Sequence, residues 1–169
     1  MKNVYLTGFM GTGKTVVGKI LAKELNKDFI DMDEAIVQNE GKKIADIFAS
    51  EGEFHFRKVE KELLKELSTK RDLMVSCGGG LICDEENLNV LRESGTIVNL
   101  QASPEVIYER IKETTRRPLL NVDSPLEKIK VLLNKRQFYY SQAHYCLDTN
   151  EITPEAVAEK IIAILKVEQ

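Results

Sequence analysis

Apolar positions along this chain follow two alternating rhythms. Short continuous runs such as Val4-Tyr5-Leu6 suit buried strands, and between them apolar residues recur three and four apart, as on one face of a helix. The runs predict strands at Asn3–Thr7, Asp28–Asp31, Leu73–Cys77, Thr96–Leu100 and Cys146–Asp148. Helical patterns separate them, so the expected fold is a single α/β domain over residues 1–169 with a mostly parallel sheet. Ser103-Pro104, Ser124-Pro125 and Thr153-Pro154 each set a capping hydroxyl before a proline that can open a helix. Ser124 and Glu127 add a capping-box pattern, and the last helix, about Pro154 to Val167, should turn Val157, Ile161, Ile164 and Leu165 to the core. Ligands of such sheets bind beyond the carboxyl ends of the strands, so the residues just after each strand are the ones to examine.

After the first strand comes Gly8-Phe9-Met10-Gly11-Thr12-Gly13-Lys14-Thr15, a match to G-x-x-x-x-G-K-[ST]. Val16, Val17, Ile20, Leu21 and Leu25 continue it at helical spacing. Strand, glycine loop and helix together form a phosphate cradle. The glycines let main-chain N–H groups close around phosphate oxygens, and the helix start adds free N–H groups and a positive dipole end. Lys14 is expected to reach the terminal phosphates and Thr15 to ligate Mg²⁺. Gly11, Thr12, Gly13 and Val16 complete the expected nucleotide contacts. The loop implies ATP and leaves the acceptor open.

Asp31-Met32-Asp33 follows the second strand. In extended backbone the two carboxylates share a side and Met32 points away. One could serve Mg²⁺ while the other orients an acceptor hydroxyl and takes its proton; the same residues also suit a plain acidic helix start. Ser76 occupies the strand-end position where many phosphate-loop enzymes carry a second acid, consistent with Asp31 having taken the metal role. Gly78-Gly79-Gly80, after the third strand, is either a ligand-hugging main chain or a tight turn. A helical region from Ile44 to Leu67 breaks near Gly52 and carries Arg57 between aromatic residues. Phe54 and Phe56 should partly bury that neighbourhood, where a guanidinium wants a carboxylate or phosphate. Arg57 and Arg136 otherwise read as solvated charges. The stretch Glu113 to Asp123 reads either as a solvated basic loop or as a lid whose arginine closes on ATP. Tyr139 and Tyr140 read as packing residues.

Composition narrows the classes. The 169 residues carry 24 basic and 27 acidic side chains, a net charge of −3, which argues against nucleic-acid binding. No apolar run approaches a membrane span, and Val4–Met10 is too short for a secretory signal. Cys77, Cys83 and Cys146 are an odd, unclustered set, expected as reduced cytosolic thiols that mostly fill the core. A cytoplasmic protein is therefore expected.

Taken together these motifs resemble shikimate kinase over essentially the whole chain. The family carries a phosphate loop, Asp-x-Asp after the second strand, Gly-Glu-x-x-Phe-Arg, a triple glycine, an Arg-Pro-Leu-Leu lid and a later Arg before a tyrosine. Here these are Gly8–Thr15, Asp31-Met32-Asp33, Gly52-Glu53-Phe54-His55-Phe56-Arg57, Gly78–Gly80, Arg117-Pro118-Leu119-Leu120, and Arg136 with Tyr140. The resemblance implies a nucleoside-monophosphate-kinase-like three-layer α/β/α sandwich with five parallel strands in the order 2-3-1-4-5. It implies a lid at about 112–124, a substrate-binding helical region at about 33–62, and a monomer acting on ATP and shikimate. By resemblance, Thr15 and Asp31 serve Mg²⁺, Asp33 is the candidate base, and Arg57 and Arg136 clamp the substrate carboxylate beside Gly78, Gly79 and Gly80. Lys14 and Arg117 act on the phosphates, and Arg110 contacts adenine. Two departures stand out. The family's Arg-x-Pro-Leu-Tyr is Arg136-Gln137-Phe138-Tyr139-Tyr140, and Glu151-Ile152 replaces an arginine that some relatives place near adenine. The rival readings are a kinase of another small hydroxylated acid such as gluconate, and a nucleotide-binding module without catalysis.

Overall fold

The structure, a computed structural model, describes residues 2–112 and 123–167. Its strands are β1 (Asn3–Thr7), β2 (Asp28–Asp31), β3 (Leu73–Ser76), β4 (Gly95–Gln101) and β5 (Tyr145–Asp148). They form a parallel sheet in the order β2-β3-β1-β4-β5. The helices are α1 (Lys14–Leu25), α2 (Met32–Glu40), α3 (Ile44–Ser68), α4 (Glu85–Ser94), α5 (Pro104–Ile111), α6 (Pro125–Tyr140) and α7 (Pro154–Val167).

The period-two geometry of a strand divides the core. Val4, Leu6, Met74, Val98 and Leu100 enter a cluster with residues of α1 and α7. Tyr5, Val75 and Ile97, one residue out of step, enter the other cluster with α2 through α6. Both faces are covered, which is why these strands read as continuous apolar runs. In α7, Val157, Ile161 and Leu165 are buried and Ile164 is half-buried. In α1, Val17 and Leu21 face the core, but Val16 is 53% exposed.

Some local expectations change. Ser103 and Thr153 cap as expected, accepting from the amides of Val106 and Ala156. Ser124 does not: its backbone lies at φ −136°, ψ 75°, its side chain makes no cap bond, and Glu127 pairs with Lys130 instead. Helix α3 breaks at Gly52 (φ 81°, ψ 171°), a conformation that favours glycine. Across the break Phe56 packs on Phe48 with ring centroids 4.8 Å apart, whereas Phe54 is 87% exposed and buries nothing. Of the three free thiols, only Cys77 is fully buried; Cys83 is half-buried and Cys146 is exposed. No described helix is long and apolar enough to cross a membrane.

Candidate active site

The carboxyl ends of β1, β2 and β3 bring most of the candidate residues to one edge of the sheet. After β1, Gly8, Gly11 and Gly13 all take positive φ, of 134°, 77° and 98°. At Gly8 any side chain would run into the Leu100 carbonyl of the neighbouring strand. The turn so made ends at Gly13, the N-cap of α1, leaving that helix's first amides at the mouth of the loop. Lys14 Nζ donates to the carbonyls of Gly8 and Phe9, each at 2.9 Å, and so spans the loop. Thr12 Oγ1 closes the turn from inside by donating to Phe9 O at 2.7 Å.

The loop is braced from behind by a residue with no visible sequence signal. Thr149, just past β5 and buried, has its hydroxyl within hydrogen-bond distance of the carbonyls of Thr12 and Gln101. Arg110, on α5, donates to Gly11 O at 3.1 Å and to both oxygens of Thr149. Its guanidinium therefore ties the outer edge of the loop to the end of β5. Only the three-dimensional meeting of β4, β5 and the loop reveals this brace.

Asp31 ends β2 and faces two ways. Its Oδ2 accepts from Thr15 Oγ1 at 2.7 Å, while its Oδ1 accepts from the amides of Asp33 and Glu34 and caps α2. The strand stops at Asp31, so strand alternation is not what orients Asp33; Asp33 lies in the first turn of α2, and Met32 is buried beneath it. The helix-start and functional readings of the pair are thus compatible. Asp31 pairs in register with Ser76, so the carboxylate stands one strand over from the place where the second acid was missing. A hydroxyl and a carboxylate in contact at the start of α1 form a hard-oxygen pair suited to Mg²⁺.

After β3 the three glycines are threaded among charged side chains. A Cβ at Gly78 would overlap Glu60 Oε1 and lie 3.3 Å from Asp33 Oδ1. One at Gly79 would lie 3.4 Å from Arg136 Nη1, and one at Gly80 would lie 2.7 and 2.8 Å from Arg57 Nη2 and Nη1. The turn brings two cations and two carboxylates together because it has no side chains of its own. Arg136 also lies 5.5 Å over the Phe9 ring, and Tyr140 donates to Gly79 O at 2.7 Å. Helix α6 runs unbroken through Tyr140 without the proline, so the residues replacing it keep Arg136 at the turn. Burial pushes the Tyr140 phenol up to about 12, which keeps it protonated as a donor. Tyr140 is a packing residue with a polar role.

Sequence reasoning missed Glu60. It is 1% exposed and accepts from Arg57 Nη1 at 2.7 Å, one helical turn away, while its Oε1 has no hydrogen-bond partner among the described residues. Burial raises its pKa, and Asp33 adds to the rise; Arg57 and Arg136 oppose it. For Arg57 burial works against the charge, but Glu60 and Glu53 outweigh it and the pKa is raised. The guanidinium is therefore held between Glu60 and the Gly80 backbone. Arg117 and most of the expected lid lie outside the described residues.

The shikimate kinase family model matches residues 10–166. The chain belongs to the shikimate kinase family. A shikimate kinase of Thermodesulfovibrio yellowstonii is 50% identical over 162 residues, covering 96% of this chain and 94% of that protein. Shikimate kinase from Acinetobacter baumannii, solved in complex with shikimate, is 36% identical with a TM-score of 0.95, covering 100% of this chain and 95% of that one. The Aquifex aeolicus shikimate kinase is 42% identical with a TM-score of 0.86, covering 97% and 96%. The strand order is the one the resemblance implied, and the family assignment favours shikimate over gluconate as acceptor. ATP-dependent phosphoryl transfer is the activity of this family.

The crowding at Gly80 gives a direct expectation for the turn. Gly80→Ala places a methyl where the Arg57 guanidinium lies and displaces it. We expect the KM for shikimate to rise about ten- to a hundredfold, the loss of one charge-assisted hydrogen-bonded contact. The KM for ATP should move less than threefold. Steady-state kinetics with each substrate varied separately test this; equal rises in both KM values would mean that the turn does not serve the acceptor end.

Proposed function

We propose that this chain transfers the γ-phosphoryl group of ATP to the 3-hydroxyl of shikimate, giving ADP and shikimate 3-phosphate on the route to chorismate and the aromatic amino acids. The observation that carries this reading is the gathering of Arg57, Arg136 and Asp33 around Gly78–Gly80, next to the phosphate loop. Shikimate has a carboxylate at one end and ring hydroxyls at the other. Arg57 and Arg136 answer the carboxylate, assisted by the Gly79 amide, and Asp33 answers the hydroxyls. Gluconate shares these groups but not the rigid ring that a fixed clamp can use.

The phosphates lie in the cradle of Gly11, Thr12 and Gly13, with Thr15 and Val16 at the start of α1. Lys14 exchanges its loop carbonyls for phosphate oxygens and neutralises charge that grows as the bond to the leaving oxygen stretches. Thr15 and Asp31 are the residues that would hold Mg²⁺, which would supply positive charge to offset the charge of the phosphates. Asp33 orients the acceptor hydroxyl and receives its proton as the new P–O bond forms. Arg110 flanks adenine from the outer edge of the loop, and Arg117 closes from the lid onto the phosphates. We assign this activity to a cytoplasmic monomer with no nucleic-acid or membrane partner.

ADP release tests this assignment, measured with ATP and Mg²⁺ alone and with shikimate, gluconate or a nucleoside monophosphate. Shikimate alone should sustain turnover, and Asp33→Ala should lower kcat by about 10²–10⁴-fold, the usual contribution of a positioned acid–base group. Equal turnover on gluconate would favour the broader kinase. ATP binding without turnover on any acceptor would favour the non-catalytic module.

A further inference from the structure

We propose that Glu40, Glu51 and His55 form a binding site for a divalent transition-metal ion such as Zn²⁺, on the rim of the substrate-binding region and apart from the Thr15–Asp31 pair. The proposal goes beyond the kinase reading and does not depend on it. Glu40 closes α2, while Glu51 and His55 lie in α3 on either side of the Gly52 break. His55 Nε2 is 3.3 Å from Glu40 Oε2 and 3.4 Å from Glu51 Oε2, and one ligand atom from each of the three residues lies within 4.8 Å of the others. A tetrahedral ion with bonds of about 2.0–2.1 Å needs its ligand atoms about 3.3–3.4 Å apart. Two of the three edges already have that length, and the third lies within 4.8 Å.

The surroundings favour the same chemistry. Lys42 Nζ holds Glu51 Oε1 at 2.8 Å, which leaves Oε2 turned to the imidazole. The side chains are 37%, 26% and 33% exposed for His55, Glu40 and Glu51, so a water can supply the fourth ligand. An imidazole with two carboxylates suits Zn²⁺, Co²⁺ or Ni²⁺ rather than Mg²⁺. A bound ion would fasten the end of α2 to both arms of the α3 break, and so restrain the segment that carries Asp33 and Arg57.

The test titrates the full chain with Zn²⁺ at saturating Mg²⁺, by calorimetry and by NMR of the imidazole protons. The chain has two histidines, and His144 Nδ1 accepts from the Ile97 amide, so it is an internal control. We expect one saturable site, a shift of the His55 resonances with those of His144 unmoved, and a rise in Tm on adding Zn²⁺. His55→Ala and Glu40→Gln should each weaken Zn²⁺ binding at least tenfold while keeping the metal-free Tm and the kcat measured with Mg²⁺ alone. Unmoved His55 resonances would overturn the proposal. So would equal affinity in both folded variants, which would assign the Zn²⁺ to thiols or show the cluster to be an ion pair only.

Discussion

Lys14→Ala should lower kcat by about 10²–10³-fold, the usual cost of removing one preorganised donor to developing charge. The fold should survive the change. The loop keeps the Thr12 hydroxyl on Phe9, and Thr149 and Arg110 still brace it from outside. The bonds lost include those to Gly8 O and Phe9 O, which are only partly buried and each contribute about 1 kcal/mol, so Tm should fall by only a few degrees. The measurement is steady-state kinetics beside a thermal melt of the same sample. A kcat within threefold of wild type would remove Lys14 from the transfer step. A collapse in Tm would instead make it a structural residue of the loop.

The second large effect is expected at Arg57, and it has two parts. Arg57→Ala removes one clamp on the shikimate carboxylate, so the KM for shikimate should rise about ten- to a hundredfold. It also leaves Glu60 buried without its partner. Breaking a buried pair usually costs about 3–5 kcal/mol; Arg57 is 35% exposed, so we expect about 2–3 kcal/mol after allowing for solvent screening.

This second part should depend on pH. Glu60's pKa is already raised in the folded protein, and Arg57 is the main influence lowering it. Without Arg57 it rises further. A carboxyl raised on folding favours the protonated native state, so its stabilising contribution is full below the ordinary carboxylate range and is lost as pH rises through the raised value. The stability deficit of Arg57→Ala should therefore be larger at pH 8 than at pH 5. Denaturant melts at the two pH values check it, and Arg57→Ala/Glu60→Gln should remove the pH dependence while keeping the high KM. A deficit that is the same at both pH values would show that Glu60 does not carry its charge against Arg57.

The pair also shows what the chain does and does not disclose. The phosphate loop was legible because its chemistry is local: the glycines, Lys14 and Thr15 act within one turn, and sequence spacing fixes their geometry. The strands were legible to within a residue or so, because a sheet covered on both faces demands unbroken apolar runs. For Asp31 and Asp33 the expected strand alternation does not hold, since the helix begins at Met32 and the cap sets their directions. Glu60 and Thr149 were not found. Glu60 is one acid among many in a charged helix, and its burial arises only when α3, bent at Gly52, meets the glycines of the next strand's turn. An Arg and a Glu three apart on a helix, with a run of glycines after the next strand, is the faint signal that could have suggested it. Thr149 becomes a brace through contacts with Thr12, 137 positions away, and with Gln101 and Arg110. Phe54 misled in the other direction, because aromatic residues near a cation suggest burial only when the backbone turns them inward.

This site should phosphorylate one hydroxyl of shikimate. The most direct test incubates the protein with ATP, Mg²⁺ and shikimate and locates the phosphate in the product by ³¹P–¹H correlation NMR. We expect a single product, bearing its phosphate on the 3-oxygen, with one ADP formed for each. ADP formed without phosphorylated shikimate, or phosphate spread over several hydroxyls, would contradict it.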